Sequence, residues 1–351
     1  MTTTKTTAAR APSPSAPTPR ARITGLDAAR GIAILGMVVA HLVDVRGLIA
    51  EPLSGFPSAL FAVLAGVSLG FLDHGRRLDP ARIAVRGLFL IALHFALKPV
   101  SGGIYVVLEA FGFGFLALCW LPRARTSVVA VVAGWLAALS TAVSVYDQLL
   151  LARAMRGPVL PEIFTFPYPV FAWAAYMAIG LVAHRVLVHS RKAQWITAGV
   201  GLALAALGIF ARQHVDMLAA RSAGSNQLLF TALVNPAAHS GSFVDIATCA
   251  SGALAVMAIC LLTARGVVSF PVRAMGSMSL TSYVAHTVSY GLIIGTTKAF
   301  SPLLALATAA GLMLAAAVWH AFFTKGPLEW ALSRGVECAI APLRRLESHH
   351  H

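Results

Sequence analysis

Arg30 and His41 stand eleven positions apart in RITGLDAARGIAILGMVVAHLVDV, residues 22–45. At about 100° per residue, eleven steps return to within about 20° of the starting direction, so the two side chains share one face of a helix. The rise between them, about 16 Å, puts His41 roughly halfway through a membrane when Arg30 sits at its cytoplasmic edge. Asp27, Ile34, Met37 and Asp44 lie close to the same stripe. An intramembrane imidazole is costly unless it faces a partner or water. With an unperturbed pKa of about 6.5 it gains and loses a proton near neutrality, which suits a general base. The alternatives are a packing hydrogen bond for His41, and a helix cap and interfacial anchor for Asp27 and Arg30.

Further ionisable residues fall in apolar surroundings. His94 and Lys98 come late in the third apolar run, Glu109 early in the fourth, and His239 before the eighth. They are candidates to line the outer side of a cavity and contact a substrate there. A lysine at the end of a span also snorkels to the interface, whereas a lone buried carboxylate has to neutralise or find a partner. His239 opens HSGS, residues 239–242. Adjacent residues rarely aim at each other as base and nucleophile must, so His239 and Ser240 are read as loop-ordering or substrate-binding residues. His286 lies mid-span behind Thr281, Ser282 and Tyr283, either a substrate contact or part of an interhelical hydrogen-bond set. Arg76, Arg77, Arg82, Arg86 and Arg273 offer guanidinium forks to phosphates, with Arg76, Arg77 and Arg273 taken as the set that would bind a phosphate-bearing cofactor. Their alternative role is in topology and anionic-lipid contact.

The elements that must position these groups follow from composition. The 351 residues are 58% hydrophobic and 11% charged, with mean hydropathy +0.78, far from the roughly 25% charged residues of a soluble domain. Apolar runs near membrane-spanning length centre on 29–49, 56–72, 83–98, 104–121, 126–146, 168–188, 194–212, 243–264, 274–297 and 302–324. This predicts an all-α polytopic membrane protein of about ten transmembrane helices. Counted by alternate sides, 20 of the 27 Lys and Arg residues fall on the side of the N-terminus. The positive-inside rule then puts both termini in the cytoplasm and the chain in the inner membrane.

Residues 1–22, basic and rich in Ala, Pro, Thr and Ser, read as a disordered cytoplasmic tail. Residues 23–325 form the transmembrane domain and 326–345 an interfacial helix, with Trp330, Leu332 and Ile340 toward lipid and Arg334, Arg344 and Arg345 wet. Residues 346–351 read as a tag remnant. Connections 147–167 and 213–242 are long and external. Scattered cations without interleaved aromatics argue against nucleic acid. The four cysteines lack metal or disulfide spacing, and neither a phosphate-binding loop nor a metal-ligand cluster occurs in the sequence.

Taken together, several blocks resemble the transmembrane acyltransferase superfamily. The Arg30…His41 pair is similar to the Arg, ten residues, His arrangement of its acyltransferase-3 branch. LFAVLAGVSLG (60–70), FPYPVFAWAAYMAIGL (166–181), AHSGSFVDI (238–246), GSMSLTSYVAH (276–286) and GPLEW (326–330) resemble the YeiB-like branch. Heparan-α-glucosaminide N-acetyltransferase, a further member, usually has Asn where His41 stands. The resemblance implies a membrane acyltransferase with His41 and Arg30 catalytic and an acyl-CoA donor, most simply acetyl-CoA. Its acceptor would be a hydroxyl or amine of a glycan, lipid or small molecule on the external side, and membrane lipids would be further partners. The oligomeric state stays open. A proton-coupled transporter or exporter, using the same ionisable groups as a relay, is the other class.

Overall fold

The computed structural model describes residues 23–45, 50, 53, 55–153, 160–165, 167–220, 225–235, 238–297 and 300–348. The expected tail over 1–22 lies outside them, as do residues 349–351. Among the described residues there is no strand. Thirteen helices follow one another: α1 Thr24–Leu42, α2 Phe56–Leu72, α3 Asp79–Leu97, α4 Leu108–Ala117, α5 Thr126–Arg153, α6 Val170–Val186, α7 Arg191–Ala220, α8 Ser225–Val234, α9 Phe243–Thr263, α10 Phe270–Ser277, α11 Ser279–Thr297, α12 Pro302–Phe322 and α13 Pro327–Ser348. Proline at the first or second position opens α2, α3, α10 and α12, where its missing N–H has no intrahelical acceptor to lose.

Among the described residues, six helices are long and apolar enough to cross a membrane by length and composition: α1, α3, α5, α7, α9 and α12. Leu202, Leu207 and Phe210 on α7, Val131 and Trp135 on α5, and Leu303 and Leu314 on α12 are exposed, a distribution suited to lipid rather than water. The helices α2, α4 and α6 are apolar but shorter. They are sheathed by other helices, so their lengths need not match a hydrocarbon layer.

The contact between α2 and α6 joins two of the sequence blocks singled out above. Gly66 faces the carbonyl of Met177, and Gly180 faces that of Val63, so closely that a Cβ at either glycine would collide with backbone. Small residues allow this approach between helices without a hydrophobic driving force in lipid. Gly66→Ala is expected to destabilise the protein by about 1–3 kcal/mol or more through overpacking. Gly134→Ala, where a Cβ meets nothing within 4 Å, is the control. Thermal unfolding in detergent measures both, and equal midpoints would disprove the tight contact.

The basic loops gather at one end of the bundle. Thr24 at the start of α1 donates to the carbonyl of Ala264 after α9 (3.3 Å). Arg123, between α4 and α5, pairs with Asp73, between α2 and α3 (3.6 Å). Arg185 near the end of α6 donates to the carbonyls of Pro122 (2.7 Å) and Ala124 (2.8 Å). At the opposite end Ser301, before α12, donates its N–H to the carbonyl of Leu42 at the end of α1 (2.9 Å).

Several local features differ from the sequence expectation. The first helix ends at Leu42 and not near residue 49, because the chain turns extended at Val43; His41 therefore sits in the last turn of α1. The run 274–297 is broken at Met278, whose φ of −121° and ψ of 50° separate α10 from α11. The two long connections are shortened, since α5 extends to Arg153, α7 to Ala220, and α8 lies between α7 and α9. The C-terminal helix spans Pro327–Ser348 and so enters the stretch read as a tag. Its Leu332 and Ile340 are buried, and only Trp330 of the three expected lipid contacts is exposed. That face is turned inward as α13 packs on α3 and α11.

Candidate functional site

The structure brings His41 and His286 together, although 245 positions separate them in the chain. Nδ1 of His41 lies 3.1 Å from Nε2 of His286. Tyr283, His286 and Tyr290 recur at helical spacing on one face of α11. Tyr290 meets the His41 ring edge-on at a centroid distance of 5.8 Å, and Tyr283 stacks on Phe61 of α2 at 6.1 Å. The Tyr283 hydroxyl accepts from the N–H of Val107, just before α4 (3.2 Å). His286 is buried, His41 half-buried, and Nδ1 of His286 has no hydrogen-bond partner among the described residues.

Arg30 lies at the other end of α1, held at two points. It donates to Asp27 (3.1 Å) and to the hydroxyl of Ser68 on α2 (2.9 Å). Its guanidinium borders a cavity of about 430 Å³ at the basic end, enclosed by α1, α2, α3, α4, α11 and α13. Phe61, Leu64, Leu90, Phe111 and Phe115 give the cavity apolar walls, and Arg86 and Lys325 join Arg30 as its cations. Arg82, one turn before Arg86, is engaged by Asp79 (3.6 Å) and Glu337 (3.2 Å). Arg86 makes neither a hydrogen bond nor an ion pair among the described residues, and its Nε is buried without a partner.

Glu329, also in the wall, is occupied. It accepts from the N–H groups of Leu280 (2.7 Å) and Thr281 (3.2 Å) and from the Thr281 hydroxyl (2.6 Å). It thereby caps the first turn of α11, which the break at Met278 leaves with unmatched donors. Of the sequence-selected arginines, Arg76 and Arg77 are exposed on the α2–α3 loop. Arg273 donates to the carbonyl of Gly266 (2.7 Å). None of the three lines the cavity.

At the opposite end His94 donates from Nδ1 to the carbonyl of Val106 (3.0 Å) and turns Nε2 toward Glu109 (3.4 Å). Both border a cavity of about 120 Å³ with Lys98, Glu162 and Tyr168. Glu109 is a third exposed rather than buried, and its partner is His94. Asp44 lies beyond the end of α1 and is exposed. His239 adopts a left-handed conformation, φ 62°, with its ring against Tyr168 (5.1 Å) and Trp173 (5.4 Å). Withdrawal from water, and after it the charges of Arg212 and His41, push His239 down to about 4. Ser240 donates to the carbonyl of Asn235 (3.0 Å) and accepts from the N–H of Ser242 (3.3 Å), so it orders the loop.

Residues 179–338 match the family described as Protein of unknown function (DUF418). That family is related to YeiB-like membrane proteins. The match runs from α6 into α13 and contains His239, His286 and Glu329, while Arg30 and His41 precede it. A comparison with curated proteins found no match.

A buried ion pair in the same stretch escaped the sequence reading. Arg212 on α7 donates to Asp245 on α9 (2.6 Å), and Asp245 also accepts from the N–H of Gly241 (3.2 Å) in the HSGS turn. Opposite charges at the matching ends of two apolar runs were the available signal. Among the described residues, no group of three or more His, Cys, Asp or Glu side chains is arranged to hold a metal.

Proposed function

We propose that this protein is a membrane acyltransferase whose donor, an acyl-CoA, binds the cavity at the basic end. The observation that carries this reading is the combination of apolar walls with Arg86, an unmatched guanidinium suited to phosphate oxygens. Arg30 and Lys325 add charge, and the aromatic wall accepts the pantetheine and acyl chain. In this reading the donor-binding role passes from Arg76, Arg77 and Arg273 to Arg86 and Lys325.

His41 does not line the cavity; Phe61 does, and it stacks on Tyr283 one turn before His286. A swing of Phe61 would open the way for the thioester to reach His41. An acceptor hydroxyl or amine, entering from the end that carries His94, Glu109 and His239, would attack the thioester carbonyl. Nε2 of His41 takes the nucleophile's proton, the carbon–sulfur bond breaks, and the proton passes to the CoA thiolate. Arg30, clamped by Asp27 and Ser68, orients the donor. The reading includes ten crossings in the inner membrane with both termini cytoplasmic, supported by the gathering of basic loops at one end.

Calorimetry with purified protein tests the donor site. Arg86→Gln with Lys325→Gln is expected to weaken CoA binding about tenfold or more, at two charge-assisted contacts of about 1 kcal/mol each. Arg76→Gln with Arg77→Gln should leave it unchanged. Equal affinity of wild type and the Arg86/Lys325 variant would remove the cavity from the donor site. Proton-coupled flux into vesicles without acyl-CoA consumption would replace the enzyme by a transporter.

A further inference from the structure

We propose that His286 is a positioning residue, which holds the His41 ring by one aligned N–H···N bond and fixes it with the proton on Nδ1, leaving Nε2 as the reactive nitrogen. The choice of reactive nitrogen rests on the acyl-transfer reading; the bond itself does not.

The two rings are inclined by 7° and their centroids are 5.4 Å apart. Face-to-face stacking at van der Waals contact would bring the centroids much closer. Instead, the separation is about the N···N distance of 3.1 Å plus one ring radius at each end, the largest value that this N···N distance permits. The centroids and the two nitrogens therefore fall nearly on one line. Each nitrogen's in-plane orbital points at the other, which is the alignment that a hydrogen bond prefers.

One proton occupies such a bond, so one ring donates and the other accepts. If His286 donated, Nε2 of His41 would carry the remaining proton and could not act as a base. If His41 donates, its Nε2 lone pair is free, and a proton gained there leaves an imidazolium whose Nδ1–H is already held by a neutral acceptor. Hydrogen bonds to charged groups are about twice as strong as neutral ones, so the contact tightens as charge develops. In either arrangement Nδ1 of His286 is left over, buried and without a partner among the described residues.

That blind end matters for the proton. A relay needs an exit, and His286 offers none. A proton collected on Nε2 of His41 returns by the same nitrogen, which for acyl transfer means onto the departing thiolate. Tyr290 packs on the His41 ring edge, and the titratable group outside the pair that interacts with His41 is His239, which in turn faces the charge of Arg212.

The test uses protein labelled with ¹⁵N-histidine, purified in detergent at pH 8. Wild type is expected to show His41 protonated at Nδ1 and bare at Nε2, with ¹⁵N–¹⁵N coupling across the bond to His286. His286→Phe should lose the coupling, mix the His41 tautomers and slow acyl transfer by about 10²-fold or more, with KM for acyl-CoA unchanged. His286→Gln, whose amide oxygen accepts the same N–H, should keep the tautomer and run about tenfold faster than the Phe variant. A wild-type His41 protonated at Nε2, a tautomer indifferent to His286→Phe, or a Gln variant no faster than Phe would overturn the proposal. If the tautomer and coupling appear as expected while wild type consumes no acyl-CoA, the acyl-transfer reading fails and the positioning bond stands.

Discussion

His41→Ala is expected to slow acyl transfer by about 10²–10⁴-fold, the usual contribution of a positioned acid–base group, and by more if the ring also carries the acyl group. The protein should still fold and insert. Alanine is the best helix former, and the substitution falls in the last turn of α1. The structural cost is one buried hydrogen bond, which leaves Nε2 of His286 without its partner, a penalty of about 1–3 kcal/mol. Activity and stability thus part company by a margin that size-exclusion chromatography and an acyl-transfer assay on the same sample resolve. Arg30→Lys sharpens the result. Lysine keeps the charge, but its point ammonium lacks the planar fork that reaches Asp27 and Ser68 together, so a marked fall in rate would identify geometry as the contribution of Arg30. Wild-type transfer by His41→Ala would return the histidine to helix packing.

Arg212→Ala is expected to cost about 3–5 kcal/mol, because it strands Asp245 as an unpaired buried charge. The side chains are 3% and 1% exposed, so water cannot substitute for the lost partner. The Asp245 carboxylate has another task, accepting from the N–H of Gly241 in the HSGS turn (3.2 Å), while the Ser242 hydroxyl caps α9 by accepting the Asp245 N–H (3.1 Å). Arg212→Met with Asp245→Asn should recover much of the loss, since a neutral pair needs no counter-charge and the amide oxygen can still accept from Gly241. The measurement is the midpoint of thermal unfolding in detergent for both variants. A single variant that unfolds with wild type would mean that the pair is solvated or dispensable.

Helix placement was legible in the sequence to the extent that hydrophobic runs encode it. All ten apolar runs coincide with helices, though only six of those meet the length and apolarity of a span. Helix ends were harder. Leu42 ends α1 because Ser301 satisfies its carbonyl from 259 positions away, and Met278 breaks a run that Glu329 then caps from another helix. Neither partner leaves a local trace.

The candidate site divides in the same way. Nothing in the sequence signalled that Glu109 would stay a third exposed or that its partner would be His94, because both depend on the fold. The helical spacing of Arg30 and His41 was readable within one segment, whereas the pairing of His41 with His286 required two. Among the basic-end arginines, residue type could not separate the engaged Arg82 from the unmatched Arg86 one turn later, because the difference lies in Asp79 and Glu337.

The cap on α11 also orders events during biosynthesis. Glu329 follows Thr281 by 48 residues, with all of α12 between them. The helix that bears His286 therefore leaves the ribosome with its first-turn donors unsatisfied, and stays so until α12 has been inserted and α13 has been translated. The wall of the cavity at the basic end is completed by the same carboxylate at the same moment. A chain arrested before residue 329 would thus present neither a completed cavity wall nor a settled start to its histidine helix.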